Sequence, residues 1–169
     1  MRLTTILIIA ATAVAMAACG SAEEQPAPTT SAQAECAAAD FTVTGEQGAA
    51  PDVTVPNDCA APTELLIEDV EAGSGAKVTT GDTAEVHYHL VGFSGGGKLD
   101  SSWDRGESFP VENVGNAQVI DGWNKGLIGM QEGTRRLLVV PPKLGYGADP
   151  SHQLANETLV FVIDLITVS

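Results

Sequence analysis

Taken one at a time, the chemistry-bearing residues of this 169-residue chain exclude the common catalytic constellations. No nucleophile elbow with an ordered Ser, His and Asp appears, and no glycine loop of the kind that cradles phosphate. The nearest approach to a metal motif is His87-x-His89, two side chains that would share one strand face. Two ligands without a third make a poor site, so neither a metal nor a cofactor is expected. His152 falls in a loop and reads as exposed rather than catalytic. What remains is a set of aromatic and aliphatic residues among a few polar tips. They are Val86-His87-Tyr88, Leu99-Asp100-Ser101-Ser102, Val119-Ile120-Asp121-Gly122-Trp123, Leu144-Gly145-Tyr146-Gly147 and Leu159-Val160-Phe161. Each has an ordinary reading. Trp123 and Phe161 would be core residues in almost any fold. Tyr88 sits in an alternating pattern that suits packing, and Asp100 ahead of two serines suits a turn or cap. Tyr146 between two glycines points further, since flexible backbone around an aromatic often marks a binding loop.

The elements that must position these residues are mostly strands. Leu65 to Val70 is a short one, followed by turns at Gly73-Ser74-Gly75 and Thr80-Gly81-Asp82. Ala84 to Val91 alternates, with Val86, Tyr88 and Leu90 on one face and Glu85, His87 and His89 on the other. Gly95-Gly96-Gly97 supports a hairpin turn before Leu99. Asp121 to Met130 is predicted to be a helix capped by Asp121, with Trp123, Leu127 and Met130 on one face. Gly122, Gly126 and Gly129 weaken it, so packing must hold it in place. Arg135 to Val140 is a strand stopped by Pro141-Pro142. Leu159 to Val168 is apolar on both faces apart from Asp164, which predicts a central strand covered on both sides. Upstream, Phe41-Thr42-Val43-Thr44 and Val53-Thr54-Val55 alternate as short strands. Many strands and one helix make an α+β fold, an antiparallel sheet wrapped around a short helix.

In order and spacing the five segments closely resemble the FKBP domain, the macrolide-binding immunophilin type. Its usual string runs VHY, an apolar residue before DSS, a VIxGW helix start, YG and a TLVF terminal strand. The resemblance spans roughly residues 62–169, and Val43 to Pro62 looks like the strand extension of actinobacterial FKBP lipoproteins. It implies a half-open antiparallel sheet curled around the helix, with a peptidyl-prolyl cis/trans isomerase site between the two. The implied partners are X-Pro-containing polypeptides and macrolides such as rapamycin. Carried over, Trp123 is the pocket floor and Tyr88, Leu99, Val119, Ile120 and Phe161 are its walls. Phe109 is a further wall, although one residue is inserted between it and Gly115. Tyr146 would donate to a substrate carbonyl and Asp100 would lie beside the twisting amide, so that Tyr88, Asp100 and Tyr146 form the catalytic set. An X-Pro bond isomerises over a barrier of about 18–20 kcal/mol because resonance keeps the amide planar. A dry pocket that favours the twisted form needs no nucleophile. Three features depart from the family string: Leu99 stands where Phe is common, His89 is unusual beside the tyrosine, and the loop from Ala148 to Asn156 is short and lacks Ile-Pro-Pro, with Leu154 as a substitute apolar contact. The alternative is a non-catalytic chaperone or adaptor that holds proline-containing segments in the same groove.

Residues 1–18 read as a lipoprotein signal peptide. Met1-Arg2 is followed by an apolar run from Ile6 to Ala18, too short to span a bilayer comfortably. Cys19 directly after two alanines resembles a lipobox, which implies a lipidated N-terminus on the outer face of the cytoplasmic membrane. Residues 19–40 are expected to form a flexible tether, because Gly20 to Ala34 is rich in Ala, Ser, Glu, Gln, Pro and Thr and has no apolar period. Residues 41–61 form the strand extension and 62–169 the isomerase domain. In an exported chain Cys36 and Cys59 are expected to pair as a disulfide, ahead of a metal site or two free thiols. Closing that loop would add about 3 kcal/mol in the chain-entropy model. With 22 acidic residues against 8 basic ones, a formal charge of −14 and no Lys/Arg run, nucleic acid is not an expected partner. No coiled-coil or other dimer signal appears, so a monomer with membrane contact through its lipid alone is expected.

Overall fold

The strand Leu159–Val168 (β8) buries its first seven residues in succession, and this two-sided burial places it inside the sheet. It pairs antiparallel with Arg135–Val140 (β7) on one side and with Ala84–Gly92 (β4) on the other. The computed structural model describes residues 33–169; the proposed leader, Cys19 and the tether up to residue 32 lie outside the described residues. Leu66–Glu71 (β3) and Lys98–Ser101 (β5) complete the order β3-β7-β8-β4-β5, and Phe109–Val111 (β6) pairs with the start of β4.

One face of the sheet carries Val86, Leu90, Leu138, Val140, Leu159, Phe161 and Ile163, packed with Trp123, Leu127 and Met130 from the helical segment. The helix itself, Asp121–Gly126 (α2), is shorter than the residue pattern predicts, and its N-cap is Ile120 rather than Asp121. After Leu127 the chain turns through Gly129, at φ +81°, to bring Met130 beside Val78. The glycines that weaken α2 also seat it. A Cβ at Gly122 would lie 2.5 Å from a Val140 methyl, and one at Gly126 would lie 2.5 Å from a Leu138 methyl. The helix backbone therefore rests directly on β7. A second helical turn, Ser102–Arg105 (α1), follows β5, where the sequence pattern predicts no helix.

The opposite face carries Val91, Leu137, Val139, Val160 and Val162, and it is the N-terminal extension that covers it. Thr42–Thr44 (β1) and Asp52–Thr54 (β2) form a small antiparallel pair, while Phe41 and Cys36 bury into the same cluster. The tether boundary expected at residue 40 lies too late. Cys36 is disulfide-bonded to Cys59, Glu35 bridges Ala60, and Ala38–Asp40 forms a 3-10 turn. A covalent link and a buried sulfur give this stretch the contacts that its alanine-rich composition does not advertise.

A buried ion pair interrupts the apolar residues of this outer face. Arg135 and Asp164 meet at 2.6 Å with side chains 0% and 5% exposed. Desolvating two charges is costly unless the remaining hydrogen-bonding capacity is met. The loop between β1 and β2 meets it: Arg135 donates to the Gly45 and Ala49 carbonyls at 2.8 Å each, and the Gly48 N–H donates to Asp164 at 2.8 Å. Asp164→Ala is expected to lower the unfolding free energy by about 3–5 kcal/mol, because Arg135 would stay buried without its counter-ion. Urea denaturation of the variant measures this, and a loss under 1 kcal/mol would mean the pair is dispensable.

Candidate active site

Trp123 enters the site because α2 lies flat on β7 and turns its indole toward β4 and β8. Three rings stand on edge around it: Tyr88 at 5.3 Å between centroids, Phe161 at 5.4 Å and Phe109 at 6.0 Å, with interplanar angles of 80°, 80° and 83°. Edge-to-face contact sets the positive rim of one ring against the negative face of another. Trp123 and Phe161 are each only 4% exposed, whereas Phe109 and Tyr146 rise to the surface. Val119 and Ile120 close one side, because Ile120 is still extended (φ −60°, ψ 150°) just before the helix starts. The result is a cavity of about 240 Å³, with Asp100 and Tyr146 at its edge.

The polar end of the cavity is organised by an arginine. The Tyr88 hydroxyl donates to Asp100 Oδ2 at 2.5 Å, and Arg105 donates to Asp100 Oδ1 at 2.5 Å and to the Tyr88 oxygen at 2.7 Å. The Ser101 N–H adds a further bond to Oδ1 at 2.8 Å. The Arg105 guanidinium also lies 5.3 Å from the Tyr88 ring centroid. Burial pushes the Asp100 carboxyl upward, but the hydrogen bonds from Tyr88, Arg105 and Ser101 outweigh it and hold it below the usual aspartate value. Burial, reinforced by Asp100, pushes the Tyr88 phenol above its usual value. At neutral pH Tyr88 is therefore a neutral donor and Asp100 an anion with both oxygens hydrogen-bonded.

Tyr146 sits on the loop after the Pro142–Leu144 turn, 37% exposed. Its ring stacks on His152 at 3.7 Å and 12°, and His152 Nδ1 accepts the Leu154 N–H at 3.1 Å. Leu154 in turn packs against the core. Leu99 is not a wall of the aromatic cavity. It is 45% exposed and lines the adjoining hollow with Tyr146, His152 and Leu154. The reason is a bulge: Leu90 pairs with Asp100 and Val91 with Lys98, so Leu99 is the unpaired residue and turns to the rim. His87 and His89 face the other side of β4, where His87 stacks on Trp103, and burial, aided by Lys98, lowers the pKa of His89. Gln118 and Arg105 belong to the site although the pattern of the sequence does not mark them, and Leu90 joins it from the face of β4 that it shares with Tyr88. Arg105 lies five positions after Asp100, and the turn at α1 brings it back to the carboxylate.

An indole floor with rings on edge, a hydroxyl at the mouth and a carboxylate held by three hydrogen bonds define a site for a ring-sized apolar side chain and its attached amide, without a nucleophile to attack that amide. A family model described as FKBP-type peptidyl-prolyl cis-trans isomerase matches residues 74–166. A probable FK506-binding protein of Corynebacterium glutamicum is 46% identical over 110 residues, covering 63% of this chain and 89% of that protein. An FK506-binding protein of Streptomyces anulatus is 40% identical over 121 residues, covering 70% and 96%. The crystal structure of FkpA from Escherichia coli matches with a TM-score of 0.57 and 35% identity over 63% of this chain; the match spans only 49% of the FkpA chain. The chain belongs to the FKBP-type peptidyl-prolyl cis-trans isomerase family, and its reaction is rotation about the bond preceding proline.

The lowered pKa has a signed consequence. Whatever stability the Asp100 network contributes is present above the ordinary aspartate value and is lost only as pH falls through the lower folded value. Carboxyl-carbon NMR should find Asp100 titrating below about 3.9, with Arg105→Leu moving it upward. An unchanged titration in that variant would remove Arg105 from the cause.

Proposed function

We propose that Tyr88, Asp100 and Tyr146 are the catalytic set and that Trp123, Phe161, Phe109, Val119 and Ile120 seat the proline ring. The observation that carries this reading is the edge-on box of rings around Trp123, closed on its polar side by the Arg105–Asp100–Tyr88 network. Proline stacks in the box, and Tyr146 donates its hydroxyl hydrogen to a substrate carbonyl at the mouth. The planar amide is held by resonance and is the more polar form, so a dry aromatic wall favours it less than water does. Twisting breaks the conjugation and localises the nitrogen lone pair, and the fixed charges and dipoles at the rim need no reorganisation to meet it. Leu99 and Leu154, in the outer hollow, receive the residue before proline. Macrolides such as FK506 and rapamycin occupy the same cavity and compete with peptide.

NMR exchange on a Leu-Pro peptide with the chain lacking residues 1–19 tests this assignment. Tyr146→Phe is expected to cut kcat/KM about five- to tenfold, the factor for one lost hydrogen bond, and Asp100→Ala more because it unpairs Arg105 and Tyr88. Rapamycin should abolish the remaining exchange. Variants as fast as the wild type would place the chemistry elsewhere.

The same proposal assigns the enzyme a place. Residues 1–18 direct export, Cys19 carries lipid, a tether follows, and the folded part from residue 33 works as a monomer on exported polypeptides at the outer face of the cytoplasmic membrane. The Met16-Ala17-Ala18-Cys19 run supports this, as does a disulfide suited to an oxidising compartment. Detergent-phase partitioning of the protein from its host should be lost with Cys19→Ser. Partitioning that survives the substitution would exclude a lipid at that cysteine.

A further inference from the structure

Trp103 belongs to neither the cavity nor the core, yet its ring is fixed on two sides. It lies nearly parallel to the His87 imidazole, with 5.0 Å between centroids and 19° between planes, and its Nε1–H donates to the Gly48 carbonyl at 3.2 Å. Gly48 is in the β1–β2 loop of the extension, which is itself held to the sheet. Its N–H binds Asp164, Arg135 holds the flanking Gly45 and Ala49 carbonyls, and the Gln47 amide donates to the Gly133 carbonyl.

Trp103 is the second residue of α1, a helix of a single turn. Its first residue, Ser102, is buried; the hydroxyl accepts the Tyr88 N–H at 2.9 Å and lies 2.9 Å from His87 Nδ1. Its last residue, Arg105, reaches Asp100 and Tyr88 at the cavity. At about 100° per residue, positions 103 and 105 point roughly opposite ways on a helix. The turn thus straddles the sheet edge, with Trp103 on the extension side and Arg105 on the cavity side. One turn has too few internal hydrogen bonds to hold its own orientation, so the outside contacts of Ser102 and Trp103 set it.

We infer that the N-terminal extension is part of the isomerase site: through the Gly48–Trp103 hydrogen bond it fixes the rotation of α1 and hence the grip of Arg105 on Asp100 and Tyr88, which makes Trp103 a positioning residue. The inference rests on the reading of the cavity as the active site. The match to the family model begins at residue 74, so the loop that supplies Gly48 lies outside it and the device belongs to this chain's own extension.

The test uses the full-length chain with Trp103→Phe, which keeps a ring over His87 and removes only the donor, and Trp103→Ala, which removes both. Two quantities are read: the Asp100 carboxyl titration by NMR, which follows the grip of Arg105 without depending on turnover, and kcat and KM separately. In Trp103→Phe the Asp100 titration should move to higher pH, and kcat should fall about fivefold, the factor for one neutral hydrogen bond. KM should stay unchanged because the rings that seat proline are untouched. Trp103→Ala should shift both further in the same direction. A purely structural tryptophan would lower the unfolding temperature while leaving the Asp100 titration and the kcat of the folded protein as in the wild type, and that result overturns the inference. If Asp100 shifts as expected but the wild type accelerates no exchange, the coupling from extension to Arg105 stands and the reading of the cavity falls.

Discussion

A strand that is apolar on both faces can border water on neither, and β8 imposes that constraint on the sheet around it. Its inner residues Leu159, Phe161 and Ile163 require the layer that α2 provides. Its outer residues Val160 and Val162 require a second layer, and the extension supplies it. The hydrophobic driving force is non-directional and scales with the area removed from water, so the outer cover need not be a regular element. A two-strand pair, a disulfide and a buried phenylalanine suffice. The Arg135–Asp164 pair then restores direction to this layer, since only backbone groups of the loop around Gly48 complete its hydrogen bonds. The domain of the family and its extension are in this sense one folding unit with a shared outer core.

The cavity inherits its geometry from the same sheet. Tyr88 and Phe161 face it because residues of β4 and β8 alternate, and Trp123 faces it because glycines let α2 press against β7. Rings held on edge leave a slot lined mostly by aromatic and aliphatic side chains. Its polar side is different in kind. Arg105, Asp100 and Tyr88 satisfy one another, so the charge at the rim is aligned before any substrate arrives. Preorganisation of this kind suits a reaction that makes no covalent intermediate, where the protein can act only by favouring one shape of an amide over another.

Much of this was legible in the sequence, and for local reasons. The alternation from Val86 to Leu90, the two-faced run of β8 and the stop at Pro141 are patterns with periods of a few residues, and they place three strands and the inward side chains on them. The spacing of Trp123, Leu127 and Met130 marks one buried face even though the helix ends at Gly126 and the turn beyond it completes that face. The residues that were not legible are those whose position depends on an irregularity. Leu99 leaves the cavity because of a bulge. Arg105 reaches Asp100 because a one-turn helix doubles the chain back. Residues 33–40 are ordered although their composition resembles the tether, because a cysteine within them finds a partner 23 positions away.

By itself the sequence determined the α+β class, the strand content, the family and the set of aromatic residues available to a pocket. It could do so because periodicity and motif order are properties of neighbouring residues. Tertiary structure alone decided the rest: which cation engages Asp100, what covers the outer face, and how α1 is rotated between Gly48 and the cavity. Those outcomes rest on contacts between residues far apart in the chain, such as Trp103 with Gly48 and Arg135 with Asp164. Their strength comes from burial and from geometry that exists only once the sheet has formed.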